Sequence, residues 1–366
     1  MEKRNYIFID ALRGCAVLPV MFYHLIVTLN WYWFPEHGLT KIFYIGWIGV
    51  DLFFVISGFV ITLSIVFDME RSGSSGFVRD YARHRLARIV PLYYLISLLY
   101  IIFVDTANFW QHHPSDWRLK NVATHLLFIH NWFFPYAGAI NGAAWSLGVE
   151  MQFYVLIALT LAFWPQKRAL PLIFAGIAAA MLWRIFCFRH WFGNASLMLH
   201  ACQQLIGHID AFSMGAAIAL ISRNPQHFLH KYLHPSARNA LTWFSLAVLS
   251  GVLAWRIFWS HLNYWNSALM VIGWRTLLAL TFALFLLAAI TLPARAWLVR
   301  SLAPLLYIGK ISYGIYLWHF PVILAFMKTT LPRGRMAVLI IFSTLLLASF
   351  SWHFFEKPLI DKYRNT

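Results

Sequence analysis

Apolar runs of about 17–25 residues recur along most of the chain, and that is the length a helix needs to cross a hydrocarbon core. The pattern predicts ten spans, near 8–29, 43–66, 89–105, 147–164, 170–187, 207–222, 239–256, 268–291, 304–327 and 336–354. The fold class that follows is all-α: a polytopic membrane protein of about ten transmembrane helices, read as one domain over 1–366. Two connections are long. Residues 106–146 are rich in Asn, His, Trp, Pro and Gly and are expected to form a substrate surface or lid. The stretch MERSGSSGFVRDYARHRLARIVP carries a Ser/Gly segment that predicts a flexible loop. No internal repeat recurs at a fixed period.

Composition supports the membrane assignment. The chain is 61% hydrophobic and 11% charged, with a mean hydropathy of +0.64, whereas a soluble domain carries about a quarter charged residues. Eighteen Trp, sixteen Tyr and thirty-two Phe suit interfacial aromatic belts. The net charge of +16 would suggest nucleic acid in a soluble protein. Here the basic residues fall mainly in short loops, so no nucleic acid is expected, and the charge reads as positive-inside bias plus attraction to anionic membrane lipid. Placing the N-terminus inside puts Lys3, Arg4, the cluster from Arg71 to Arg88, Lys167, Arg168, Arg223, Lys231, Arg238, Arg295, Arg300, Lys357, Lys362 and Arg364 on the cytoplasmic side. Both termini are then cytoplasmic, with LPRGR at 331–335 as the local exception. The first span lacks a small-residue cleavage site and is read as retained rather than as a signal peptide. Three cysteines, Cys15, Cys187 and Cys202, show no metal spacing, and no metal is expected.

Polar residues inside these spans point to chemistry, because an ionisable group in a membrane is costly and usually lines a polar path. Arg13 and His24 lie eleven residues apart in the first span. On a helix that is about 16 Å of rise and close to a whole number of turns, so both share a face, joined by Asp10. A neutral imidazole at His24 can accept a proton and return it; hydrogen bonding across helices is its structural alternative. Arg85 and Arg88 project to one side of the third span and suit phosphate oxygens, although membrane anchoring also explains them. Trp145, Ser146 and Glu150 open the fourth span, with Ser146 expected to cap it. Glu150 is expected to orient an imidazole or bind a sugar hydroxyl. Ser312, Tyr316 and His319 share one face of the ninth span, so His24, Glu150 and His319 are expected at similar depth. Tyr313 or Tyr316 is expected to bond between helices. In FFVISGF, 53–59, Ser57 and Gly58 read as close helix packing rather than as a nucleophile site. Arg184, Arg275, His208 and Asp210 are further intramembrane polar groups without an assigned role. FFEKP, 354–358, reads as a span exit with a lysine anchor.

Taken together, Arg13 and His24 with ten residues between them, FFVISGF, Arg85-x-x-Arg88 before a proline, WSLGVE at 145–150 and SYGIYLWH at 312–319 occur in an order that resembles the membrane-bound acyltransferase 3 family, across residues 5 to about 358. Gly148 within WSLGVE is a variation taken as harmless. The resemblance implies O-acylation of envelope or secreted saccharides, with an acyl-CoA donor, most simply acetyl-CoA, on the cytoplasmic side and a carbohydrate acceptor, polymeric or lipid-linked, outside. It implies that Arg13 and His24 are essential and that Arg85 and Arg88 are the family's Arg-x-x-Arg. Many relatives carry a further extracytoplasmic hydrolase-like domain, which is expected here to be replaced by the membrane portion or by a partner. The expected location is a bacterial inner membrane.

On this reading His24 is the general base, Glu150 orients it or the acceptor, and His319 and Tyr316 donate to the developing oxyanion. Arg13, Asp10, Arg85, Arg88, Trp145, Ser146 and Ser312 are the residues expected to contact substrate or donor. An acyl-histidine intermediate is the variant mechanism. The rival class is a transporter or flippase of lipid-linked saccharides, which would use similar intramembrane charges.

Overall fold

The computed structural model describes residues 6–364 apart from 32–33, 35–37, 165 and 262, and omits the side chains of 39, 71–77, 80, 108, 166–168 and 364. Lys3 and Arg4, and the side chains of Arg71, Lys167, Arg168 and Arg364, therefore lie outside the described residues. The protein is 83% helical, with no strand among the described residues. Nine described helices are long and apolar enough to cross a bilayer, and Ser312–Met327 is a shorter apolar helix. The elements that matter below are α1 (Phe8–Thr28), α2 (Gly49–Leu99), α3 (Ser115–Leu126), α4 (Trp145–Phe163), α5 (Gln166–His190), α6 (Leu205–Ser222), α7 (Ala237–Ser260), α8 (Arg275–Thr291), α9 (Ser312–Met327) and α10 (Arg333–Ser351).

The chain forms two compact units. Unit 1 comprises Met1–Arg13, Asp51–Ser74 and Glu150–Tyr307; unit 2 comprises Gly14–Val50, Ser75–Val149 and Ile308–Thr366. In unit 1, α5 packs on α6 and α7 on α8. The FFVISGF segment meets α6 at two reciprocal glycines. A Cβ on Gly58 would stand 2.1 Å from the Phe212 carbonyl oxygen, and one on Gly215 would stand 2.0 Å from that of Val55. Only glycine permits this backbone approach, so Gly58 serves packing, as small residues do between membrane helices. Phe212 stacks on Phe54 and Phe153, with ring centroids 4.5 and 4.2 Å apart.

In unit 2 the end of α1 packs on α9 and α10 through Leu25, Ile323 and Ile340. Pro321 lacks an N–H, so the Leu317 carbonyl one turn earlier loses its helical donor. Asn141 replaces it, its Nδ2 donating to that oxygen at 3.1 Å. The sequence thus breaks one bond of α9 and uses the freed acceptor to bolt the 128–146 segment onto the helix.

Three expectations are corrected. The Ser/Gly stretch after Met69 is not a loop: the backbone is helical throughout Gly49–Leu99. Two glycines cost only about 1 kcal/mol each, and no proline interrupts the helix before Pro91. The predicted span 304–327 is two helices, Ala303–Lys310 and Ser312–Met327, with Ile311 between them at φ −92°, ψ 8°; Gly309 weakens helix propensity at that point. Residues 106–146 are not an unstructured connection. They contain α3 and a short helix, Thr106–Gln111, and they bury Asn121, His125, His130, Asn131 and Asn141. Burial holds the imidazoles of His125 and His130 well below the ordinary histidine range, at about 4 and about 3, and His130 is lowered further by the charge His125 would carry. Their rings stack 4.0 Å apart.

Candidate active site

α1 and α9 bring two histidines together inside unit 2. His319 Nε2 lies 3.1 Å from His24 Nδ1, and the ring centroids are 5.0 Å apart. Each imidazole also addresses a carbonyl of its own helix, one turn back. His24 Nδ1 is 3.0 Å from the Val20 oxygen, and His319 Nδ1 is 3.1 Å from the Ile315 oxygen. A carbonyl can only accept, so both Nδ1 atoms carry hydrogen. His319 Nε2 is then a lone pair, the single His24 Nδ1–H is shared between it and the Val20 oxygen, and the basic nitrogen of His24 is Nε2. His319 is fully buried and His24 only partly so. His24 therefore offers a reachable base, and His319 stands behind it and fixes its tautomer. Phe320 limits the ring further, edge-on at 5.7 Å.

The face predicted on α9 is buried at Ser312, Tyr316 and His319. Tyr316 donates to the Ala143 oxygen at 2.7 Å, and Ser146 lies 2.7 Å from the Tyr316 hydroxyl. Tyr316 has one hydrogen, which Ala143 takes, so Ser146 is the donor in the second bond. Three expectations change. Tyr316 is not available to an oxyanion, and Ser146 does not cap α4 but anchors Tyr316. His319 is likewise no oxyanion donor toward His24, because its facing nitrogen accepts. Tyr313 bonds between helices as expected, donating to the Ile89 oxygen at 2.6 Å. Gly148 is more than a harmless variation: a Cβ there would come within 2.7 Å of Asn131 Oδ1 and 3.1 Å of the Phe128 oxygen.

Glu150 belongs to unit 1. Its Oε1 accepts from Ser57 at 2.5 Å and from Tyr154 at 2.6 Å. The partner that meets His24 Nδ1 is His319. Ser57 does more than pack: its bond to Glu150 spans 93 residues that no local pattern connects. Arg13 pairs with Asp10 at 3.3 Å, both partly exposed, which confirms the shared helix face. Trp145 is half-buried at the start of α4.

Arg85 and Arg88 are half-buried in unit 2. Arg85 lies over the Tyr81 ring at 5.9 Å. Arg88 is an electrostatic neighbour of Glu356, whose carboxylate is buried and accepts from Ser351 at 3.0 Å. FFEKP is thus more than a lysine-anchored exit. An acidic residue in an apolar helix was the signal that could have singled out Glu356.

Unit 1 pairs the remaining intramembrane charges. Arg184 contacts both Asp210 oxygens at 2.7 Å, the Gly207 oxygen, the Ile272 oxygen and Thr276. Asp51 faces His208 at 3.3 Å and Arg275 at 3.9 Å. Cys187 and Cys202 are buried free thiols in one cluster. Among the described residues no three His, Cys, Asp or Glu side chains cluster to hold a metal ion.

A family model for an acyltransferase domain matches residues 6–353. The chain belongs to the acyltransferase 3 family. The match takes in every residue of the histidine pair, the arginine pair and the Glu150 cluster, and stops just short of Glu356. Among curated proteins the chain is similar to the O-acetyltransferase OatA of Staphylococcus aureus strain NCTC 8325, 24% identical over 97% of this chain and 57% of the relative. It is also similar to the peptidoglycan O-acetyltransferase OatA of Listeria monocytogenes strain EGD-e, 27% identical over 98% of this chain and 56% of the relative. The chain spans less than three-fifths of the length of these relatives. No solved structure matches the chain.

Proposed function

We propose that this acyltransferase moves an acyl group, most simply acetyl, from acyl-CoA to a hydroxyl of an envelope saccharide, polymeric or lipid-linked, at a bacterial inner membrane. The observation that carries the reading is the His24–His319 pair. Two backbone carbonyls and one histidine lone pair leave His24 Nε2 as the base. That nitrogen removes the proton of the acceptor hydroxyl as its oxygen attacks the thioester carbonyl. The carbon–sulfur bond then breaks, and the departing thiolate takes the proton back from His24. Throughout, His319 holds Nδ1–H and steadies the imidazolium, a positioning role. General base catalysis of this kind contributes about 10²–10⁴-fold.

Arg85 and Arg88 are the proposed contacts for the donor's phosphates, since guanidinium groups match phosphate geometry, and Glu356 holds Arg88 in place. Arg13, set by Asp10, is proposed as a further contact for the donor. Glu150, fixed by Ser57 and Tyr154, is proposed to receive an acceptor hydroxyl. Membership of an acyltransferase family favours this reading over a flippase. The names of both relatives support acetyl as the group, and the peptidoglycan in the name of the Listeria relative supports a wall saccharide as the acceptor.

The test is transfer of label from acetyl-CoA in membrane vesicles. Label should enter a saccharide fraction with the natural protein, and Arg85→Ala should raise the donor concentration needed for half-maximal transfer. Unchanged donor dependence would remove the phosphate role, and absence of transfer by the natural protein from any acyl-CoA would remove the reading.

A further inference from the structure

Unit 1 holds a groove of about 360 Å³ where the first turns of α1, the start of α7 and the end of α8 come together. Every residue lining it is apolar, among them Phe8, Leu12, Ala240, Phe244, Ala288 and Leu292. The small side chains of Ala240 and Ala288 create the space, with Phe244 as a wall. A backbone bond from Ser236 N–H to the Thr291 oxygen, 3.0 Å long, pins the two helix ends at its mouth.

On α7 and after α8 the charge beside the lining is wholly basic, and on α1 Asp10, beside the lining residue Ala11, is paired with Arg13. Arg238 follows the lining residue Ala237, and Arg295 and Arg300 lie between the lining residues Leu292 and Leu302. All three arginines are exposed. No Asp or Glu occurs anywhere from 211 to 355. Trp297, between Arg295 and Arg300, is 62% exposed, as expected of a ring at a bilayer interface.

An apolar slot whose lining segments carry neighbouring exposed arginines matches a molecule with a fatty chain and an anionic head. We propose that this groove is a binding site for an anionic phospholipid of the surrounding bilayer, one acyl chain lying along Ala240 and Ala288 and the phosphate headgroup on Arg238, Arg295 and Arg300. Basic residues at a membrane surface favour anionic over zwitterionic headgroups, and the preference falls when they are removed. The proposal concerns lipid retention alone and does not depend on the acyl-transfer reading.

Native mass spectrometry of the full chain, released from bilayers of equimolar phosphatidylglycerol and phosphatidylethanolamine, tests it. The natural protein should retain phosphatidylglycerol over phosphatidylethanolamine by roughly tenfold or more, the scale two or three basic residues supply. R238Q/R295Q/R300Q changes only exposed side chains and should bring the two lipids to parity. Ala288→Trp fills the groove and should reduce bound phosphatidylglycerol while leaving the arginines in place. Equal retention by the natural protein, which is ordinary annular lipid, or an unchanged preference in the arginine variant would overturn the site.

Discussion

In unit 1, Arg184 closes on Asp210 and Asp51 faces His208 and Arg275; in unit 2, two histidines share one hydrogen bond. Both clusters sit inside apolar helices, and both looked equally costly as residues in a sequence. The first satisfies itself: two arginines oppose two aspartates, and Arg184 alone reaches two carboxylate oxygens, two carbonyls and a hydroxyl. Such a network holds helices in register, and breaking one partner strands a buried charge. The second is built differently. Carbonyls of Val20 and Ile315 assign both hydrogens and leave His24 Nε2 as a lone pair on a partly exposed side chain. Cost alone therefore does not mark a reactive group. What separates them is whether the cluster consumes all its donors and acceptors or leaves one pointing outward.

The comparison can be broken most sharply at His24. His24→Ala should lower acyl transfer by up to about 10⁴-fold with little change in unfolding temperature; a destabilised protein would place His24 with the structural cluster. Next, Arg184→Met should destabilise by about 3–5 kcal/mol, because it leaves Asp210 buried without its cation. Thermal unfolding in detergent measures this, and a stable variant that has lost activity would instead place Arg184 in the chemistry. His319→Ala should slow transfer roughly 10–100-fold, the scale for partners that orient a histidine, and His319→Gln, which keeps an acceptor, should recover part of the loss. Tyr316→Phe should cost about 1–3 kcal/mol of stability by leaving the Ala143 carbonyl unpaired.

The smallest effect is one of pH on the stacked pair His125 and His130. Their folded values, about 4 and about 3, lie below the ordinary value of 6.5. The unfolded segment then binds protons that the folded one refuses, so their contribution is whole above about pH 6.5 and is lost as pH falls toward 4. Amide protection across 121–144, corrected for the intrinsic pH dependence of exchange, should fall over that window and stay flat above it. Flat protection down to pH 4 would contradict the burial argument.

The spans were legible in the sequence because hydrophobic length is a local property, and the shared face of Ser312, Tyr316 and His319 followed from helical spacing. The pairing of His24 with His319 was legible only as similar depth. The atom-level roles were not, because they depend on which carbonyl each Nδ1 meets. Ser57 with Glu150 and Arg88 with Glu356 join residues far apart in the chain, which no spacing rule reaches. The Ser/Gly stretch stays helical because no proline interrupts it before Pro91, so its composition alone does not reveal the helix.

The central claim is that His24 is the base and His319 positions it. Acetyl transfer by His24→Ala, His319→Ala and the double variant, measured in the same membranes, tests it most directly. Groups that act as a unit do not add. The double variant should therefore fall no lower than His24→Ala, with His319→Ala between them and the natural protein. A His319→Ala variant as inactive as the double, beside a His24→Ala variant that still transfers, would contradict the assignment.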